Sequence, residues 1–151
     1  MSRLAKFLRL TWPERGLFFL ALLLLSMIAL GLSLFGFQRT KAALAGTAVS
    51  GATTDNNALS QARQTARIVT AAARYGPYKA TCLPIALTLI WLLDRQGIET
   101  VLRLGVSKTD ARLEAHAWVE YQGLPLNENQ DVHERFAAFD KTAPSAAAAP
   151  K

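Results

Sequence analysis

With 151 residues and a net charge of +6, the chain holds about one small domain once its membrane-length apolar segment is set aside. Its single cysteine excludes an internal disulfide, and a lone thiol suits a reducing cytosol. No histidine or cysteine cluster with metal-ligand spacing, no glycine-rich phosphate loop and no internal repeat is present, so no cofactor or metal is expected.

Residues 1–45 combine a basic start with a greasy segment. Arg3, Lys6 and Arg9 make the first ten residues basic, and Thr11-Trp12-Pro13-Glu14 reads as a capping box with proline in the first helical turn. From Leu17 to Phe37 there is no charged residue, which matches the ~20 apolar residues needed to cross a bilayer. A cleaved signal peptide is one reading, with Ala43-Leu44-Ala45 as its processing site, although the apolar run is long for that. A second is a membrane span, for which the excess of preceding basic residues would leave the N-terminus in the cytoplasm and send the following domain outside. The third is a helix packed on the domain, on a partner or into one leaflet. Residues 46–57, rich in glycine, threonine, alanine and asparagine, read as a linker.

Residues 58–141 carry the pattern of a catalytic domain. A helix is predicted from Leu59 to Tyr75, with Leu59, Ala62, Ala66, Val69 and Ala73 on its inner side. Arg63, Arg67 and Arg74 follow its other side, either as a solvated face or as a docking stripe for an acidic peptide or partner. No aromatic residues interleave with these arginines, so nucleic acid is not an expected partner. The next helix opens at Cys82, with Thr81 as N-cap and Pro84 in the first turn. Ile85, Leu89, Leu92 and Leu93 recur at helical spacing until Gly97 ends it after Gln96. Strands are predicted at Val101–Val106, Leu113–Tyr121 and Leu124–Asn129, giving an α+β domain with helices on an antiparallel sheet. In the middle strand Leu113, Ala115, Ala117, Val119 and Tyr121 share an apolar face, while Glu114, His116, Trp118 and Glu120 share the other. His133 falls in a charged stretch and reads as a solvated surface residue. The low-complexity tail at 142–151 is expected to be disordered.

The turn after Tyr121 bears on which residue meets His116. A two-residue loop would put Gln122 at positive φ, which glutamine fills poorly, whereas a three-residue loop, Tyr121-Gln122-Gly123, requires positive φ only at Gly123. The three-residue loop pairs Glu120 with Leu124 and His116 with Glu128; the other pairs His116 with Asn129 and Trp118 with Asn127. Glu128 is the favoured orienting residue, with Asn127 and Asn129 as alternatives, since a carboxylate or an amide can fix an imidazole tautomer.

A thiol at a helix N-terminus, an imidazole on a following strand and a polar residue on the next form the arrangement that papain-like and transglutaminase-like enzymes use for acyl transfer. The positive end of the helix dipole and a neighbouring imidazolium both favour the thiolate, and the backbone N–H of Cys82 could hold an oxyanion. The stretches TCLPIALTLIWLLDRQGIETVLRLGV, AHAWVEYQGLPLNE and DVHERFAAF resemble the leader peptidases of lasso-peptide biosynthesis. These form a branch of the transglutaminase-like superfamily related to the C-terminal part of the microcin-processing protein. The resemblance is close over residues 77–140 and looser at the N-terminus. It implies a cysteine protease that removes the leader from a ribosomally made precursor peptide before an ATP-dependent partner synthetase closes a macrolactam ring. A small leader-binding protein is the other partner it implies, together with a cytoplasmic catalytic domain. By the family pattern Cys82 is the nucleophile and His116 the general base and acid; the third position, usually aspartate, is Glu128 here. The competing expectation is a membrane-tethered scaffold whose domain presents peptide without doing chemistry.

Overall fold

A computed structural model of the chain describes residues 11–45, 56–76, 79–109 and 112–138. The expectations for the basic start at 1–10, for most of the linker and for the tail lie outside these residues. Helix α1 spans Trp12–Ala45, α2 Asn56–Tyr75 and α3 Cys82–Arg95; strands β1 (Val101–Thr109), β2 (Arg112–Tyr121) and β3 (Leu124–Pro125) follow. A one-turn helix α4 (Val132–Arg135) and a short strand β4 (Ala137–Ala138) complete the described chain. The sheet is antiparallel in the order β3-β2-β1-β4, with β1 and β2 paired from Val101 opposite Glu120 to Thr109 opposite Arg112.

Helix α3 is the centre of the domain and touches α1, α2, β1 and β2. Its apolar spacing explains this, because Ala86, Leu89 and Leu93 are fully buried and Leu92 nearly so, while Ile85 packs at the margin of the same cluster. The helix ends in a Schellman arrangement: Gly97 N–H donates to Asp94 O at 3.1 Å and Ile98 N–H to Leu93 O at 2.9 Å. Gly97 has φ 72°, which only glycine adopts without strain.

Helix α1 packs on the domain. Ala21, Leu25 and Ile28, spaced to share one stripe, are buried against the cluster that holds α2 and α3. Burying each large side chain there contributes about 2 kcal/mol. The opposite side stays open, with Phe19, Leu23, Met27, Leu30 and Leu34 each more than half exposed. At its start, Thr11 N–H donates to Glu14 Oε2 at 2.7 Å, which is the glutamate half of the capping box. Gln64 of α2 donates to the other oxygen of Glu14 at 2.6 Å, pinning the start of α1 to α2. Gly36, at φ 75° and ψ 174°, kinks α1, and Thr40 Oγ1 donates to the Gly36 carbonyl at 2.9 Å.

Both faces of β2 are covered at its C-terminal end. Ala117, Val119 and Tyr121 meet the helices. Trp118, with no exposed surface, lies under Val132 and Phe136 of the segment that runs from β3 to β4. A Cβ on Gly105, the β1 residue opposite His116, would stand 2.9 Å from the Trp118 ring and 3.1 Å from Ala137 O, so glycine is what lets β1, the indole and β4 close together. Leu113, expected on the buried face, is 74 % exposed, because the β1–β2 ribbon extends beyond the helices there.

Candidate active site

The hairpin after β2 departs from its predicted form. Tyr121 pairs with Leu124 and Glu120 with Pro125, so the loop is the two-residue Gln122-Gly123, with Gln122 at φ 50° and Gly123 at φ 79°. Glutamine bears the left-handed conformation because the alternative would shift the return strand by one residue and turn Leu126 away from the core cluster it packs against. The strand predicted to reach Asn129 stops at Pro125. Leu126 N–H still donates to Val119 O at 2.9 Å, but Val119 N–H then donates to the side-chain Oδ1 of Asn127 at 2.8 Å. A side-chain amide thus takes the place of a ladder carbonyl, and the backbone bends away.

That bend brings Glu128 to His116. Glu128 Oε1 lies 2.8 Å from His116 Nε2, although the two-residue loop would have placed Asn129 opposite the histidine in a continued ladder. Asn127 is occupied with Val119, and Asn129 is exposed. An ionised carboxylate only accepts, so Nε2 carries the proton in this pair and Nδ1 keeps the lone pair. Arg135 Nη2 lies 3.6 Å from the second oxygen of Glu128 and its Nε 3.3 Å from Asp131. The His116 ring stacks on Phe136 with centroids 4.9 Å apart and a 27° tilt, and lies 6.3 Å from the Trp118 centroid. One edge of the imidazole is therefore defined by a carboxylate and one face by an aromatic ring.

Cys82 is the first residue of α3 and half-buried at the margin of the core. Thr81 occupies the N-cap position but its hydroxyl makes no capping hydrogen bond, and Pro84 has no N–H. The N–H groups of Cys82 and Leu83 are thus not taken by that hydroxyl, and the start of α3 keeps donors for an anionic oxygen. Among the described residues no hydrogen bond joins the thiol to His116. His116 and Glu128 are brought together, and Cys82 stands at the mouth of the central helix.

A buried polar group beside the site was not foreseen. Glu120, placed by the alternation on the polar face of β2, is 2 % exposed. Its Oε1 accepts from Trp118 Nε1 at 2.7 Å and its Oε2 from Arg103 Nε at 3.0 Å. His133 is exposed, as expected of a surface residue, but it has partners: its Nε2 lies 3.3 Å from Glu120 Oε1 and its ring meets Trp118 edge-on at 6.0 Å. The polar alternation of β2 could not reveal this, because it marks which residues share a face and not what covers that face. Glu120 fixes the indole, which lies buried beside His116 with ring centroids 6.3 Å apart.

A groove of about 850 Å³ opens next to Glu128, between α2 and the 126–129 bend. Arg67, Thr70, Arg74 and Tyr75 line one side; Asn127, Glu128 and Asn129 line the other. Among the described residues no group of three or more histidine, cysteine, aspartate or glutamate side chains could hold a metal ion.

A helix that starts on a half-buried cysteine and packs on an antiparallel sheet whose histidine is bonded to an acid beyond the next turn defines an α+β fold of helices on an antiparallel sheet. The family model described as the transglutaminase-like superfamily matches residues 22–139, and the chain belongs to that superfamily, which includes cysteine proteases. The match begins inside α1 and ends just beyond β4, so it takes in the apolar helix as well as the sheet. No curated protein and no solved structure matches the chain.

Proposed function

We propose that the protein is a thiol peptidase that removes the leader from a ribosomally made lasso-peptide precursor, with Cys82 as nucleophile, His116 as base and acid, and Glu128 as the residue that orients His116. The observation that carries this reading is the 2.8 Å contact of Glu128 with His116 Nε2, which leaves Nδ1 as the basic nitrogen. In the proposed reaction Nδ1 takes the Cys82 proton, and the sulfur adds to the scissile carbonyl carbon as the carbonyl electron pair moves onto oxygen. Backbone N–H groups at the start of α3 hold that oxygen. Collapse re-forms the carbonyl and breaks the C–N bond, and the leaving amine takes the proton from Nδ1. Water then adds to the thioester, giving its proton to His116, and the thiolate leaves and is reprotonated. The charge of Glu128 stabilises the imidazolium in both halves.

In this proposal a small leader-binding protein presents the precursor, and an ATP-dependent macrolactam synthetase takes the released core. Both would be cytosolic, and so would the catalytic domain. Helix α1 is long and apolar enough to cross a membrane. With one stripe of α1 packed against α2 and α3, lipid contact through its open face is the arrangement we favour, the helix lying in one leaflet. The test of function is incubation of the full chain and its Cys82→Ala variant with the neighbouring precursor peptide and leader-binding protein, read by mass spectrometry. Cleavage that requires Cys82 supports the peptidase. Intact peptide with folded, bound partners supports a peptide-presenting scaffold instead.

A further inference from the structure

The groove beside Glu128 is rich in donors. Arg67 and Arg74 lie two turns apart on α2, both exposed, and among the described residues neither joins an ion pair. Thr70 lies between them. Across the groove the one carboxylate, Glu128, is already bonded to His116 and faces Arg135. Asn127 spends its oxygen on Val119 N–H, which leaves its amide NH2 as the free polar group. A groove with two uncompensated guanidiniums and an amide donor is complementary to carboxylates. It is continuous with the histidine pair, because Glu128 belongs to both.

We infer that Arg67 and Arg74 form a specificity subsite that reads acidic side chains of the substrate peptide on one side of the scissile bond. This rests on the peptidase reading and adds the substrate class to it. Two helical turns separate the arginines by about 10 Å along the axis. An extended peptide rises about 3.3 Å per residue, so the preferred substrate carries two acidic residues about three positions apart.

Two measurements with the full-length protein test this, and they fail in different ways. In the first, a diverse peptide library is incubated with wild type, Cys82→Ala and the double variant Arg67→Gln/Arg74→Gln, and the cleaved bonds are identified by mass spectrometry. The expected result is Cys82-dependent cleavage enriched in aspartate and glutamate within a few residues of the bond, with the enrichment lost in the double variant. Cys82-dependent cleavage with no acidic preference, or with the same preference in the double variant, overturns the subsite and leaves the peptidase standing. Absence of any Cys82-dependent cleavage, both of the library and of the precursor presented by its leader-binding protein, overturns the peptidase.

The second measurement is independent of chemistry. Binding to Cys82→Ala protein is followed by fluorescence anisotropy with an acetylated, amidated peptide bearing a Glu-Ala-Gly-Glu repeat, and with its lysine counterpart. Blocking both ends removes a terminal carboxylate as the source of binding. The acidic probe binds more tightly than the basic one, and adding Arg67→Gln weakens it roughly fivefold, as does Arg74→Gln. Arg63→Gln, exposed on the same helix but outside the groove, leaves binding unchanged. Equal weakening by Arg63→Gln would mean general charge attraction only, and that result, or equal binding of the two probes, overturns the subsite.

Discussion

Replacing Glu128 separates geometry from charge at the proposed site. The side chain is about a quarter exposed and bonded to a ring of similar exposure at 2.8 Å, so the contact is charge-assisted but partly screened. Such a bond is worth about 1.5–3 kcal/mol when its partner is ionised. As His116 becomes an imidazolium only on the way to the transition state, most of that energy appears in kcat, a loss of about 10- to 100-fold for Glu128→Ala. Glu128→Gln keeps an oxygen that can accept from Nε2–H, so it preserves the tautomer, loses the charge and should fall between wild type and alanine. Glu128→Asp retracts the carboxylate by one methylene, about 1.5 Å, and breaks the bond unless the 126–129 bend follows. Initial rates of precursor cleavage at several substrate concentrations give kcat and KM for the four proteins, with thermal melts to confirm folding. The order Glu > Gln > Ala in kcat with nearly constant KM is expected. Equal kcat for wild type and Glu128→Ala would refute the reasoning.

The sheet and its turns offer tests that need no substrate. Gly105→Ala drives a Cβ to 2.9 Å from the fully buried Trp118 ring, and the loss should be about 1–3 kcal/mol by chemical denaturation; a change below about 0.3 kcal/mol would mean that β4 and the indole move freely. Gln122→Asn, at φ 50°, should stabilise the fold by about 0.5–1 kcal/mol, because asparagine tolerates the left-handed region better, and a loss would contradict the two-residue loop. Asp94, half-buried on α3, has its carboxyl pushed up from 3.8 to about 6, first by burial and then by repulsion from Glu99. Between these values the folded protein holds a proton that the unfolded chain has released, so stability falls as pH rises from about 4 to 6 and the penalty is complete above that. With solvent screening at this depth, Asp94→Asn should gain about 1 kcal/mol over wild type at pH 7 and nothing at pH 4; a pH-independent difference would exclude titration of Asp94 as the cause.

How far the sequence reaches can be judged from single residues. The start of α3 at Cys82 and its end before Gly97 were legible because caps and stop signals are local. The partnership of His116 with Glu128 was reached through a three-residue loop that does not form; the residues meet because Asn127 replaces a ladder partner and bends the chain, which no turn rule encodes. For α1, a uniformly apolar run gives the length for a span but hides which stripe faces inward, so burial of Ala21, Leu25 and Ile28 emerges only from tertiary packing. The cover over Trp118 comes from Val132, Phe136 and β4, in a charged stretch with no strand periodicity. Its strand is two residues long and exists only because Gly105 and Val106 offer a pairing edge. The burial of Glu120 was hidden for the same reason, since that cover closes over the polar face of β2.

The central claim is that Cys82 does chemistry with His116. Its most direct test is the rate at which a small electrophile such as iodoacetamide alkylates Cys82 in the full-length protein, with His116→Ala and Glu128→Ala alongside. The account predicts labelling well above that of a free thiol at neutral pH, abolished by His116→Ala and reduced by Glu128→Ala. Labelling at the free-thiol rate, indifferent to both substitutions, would contradict it.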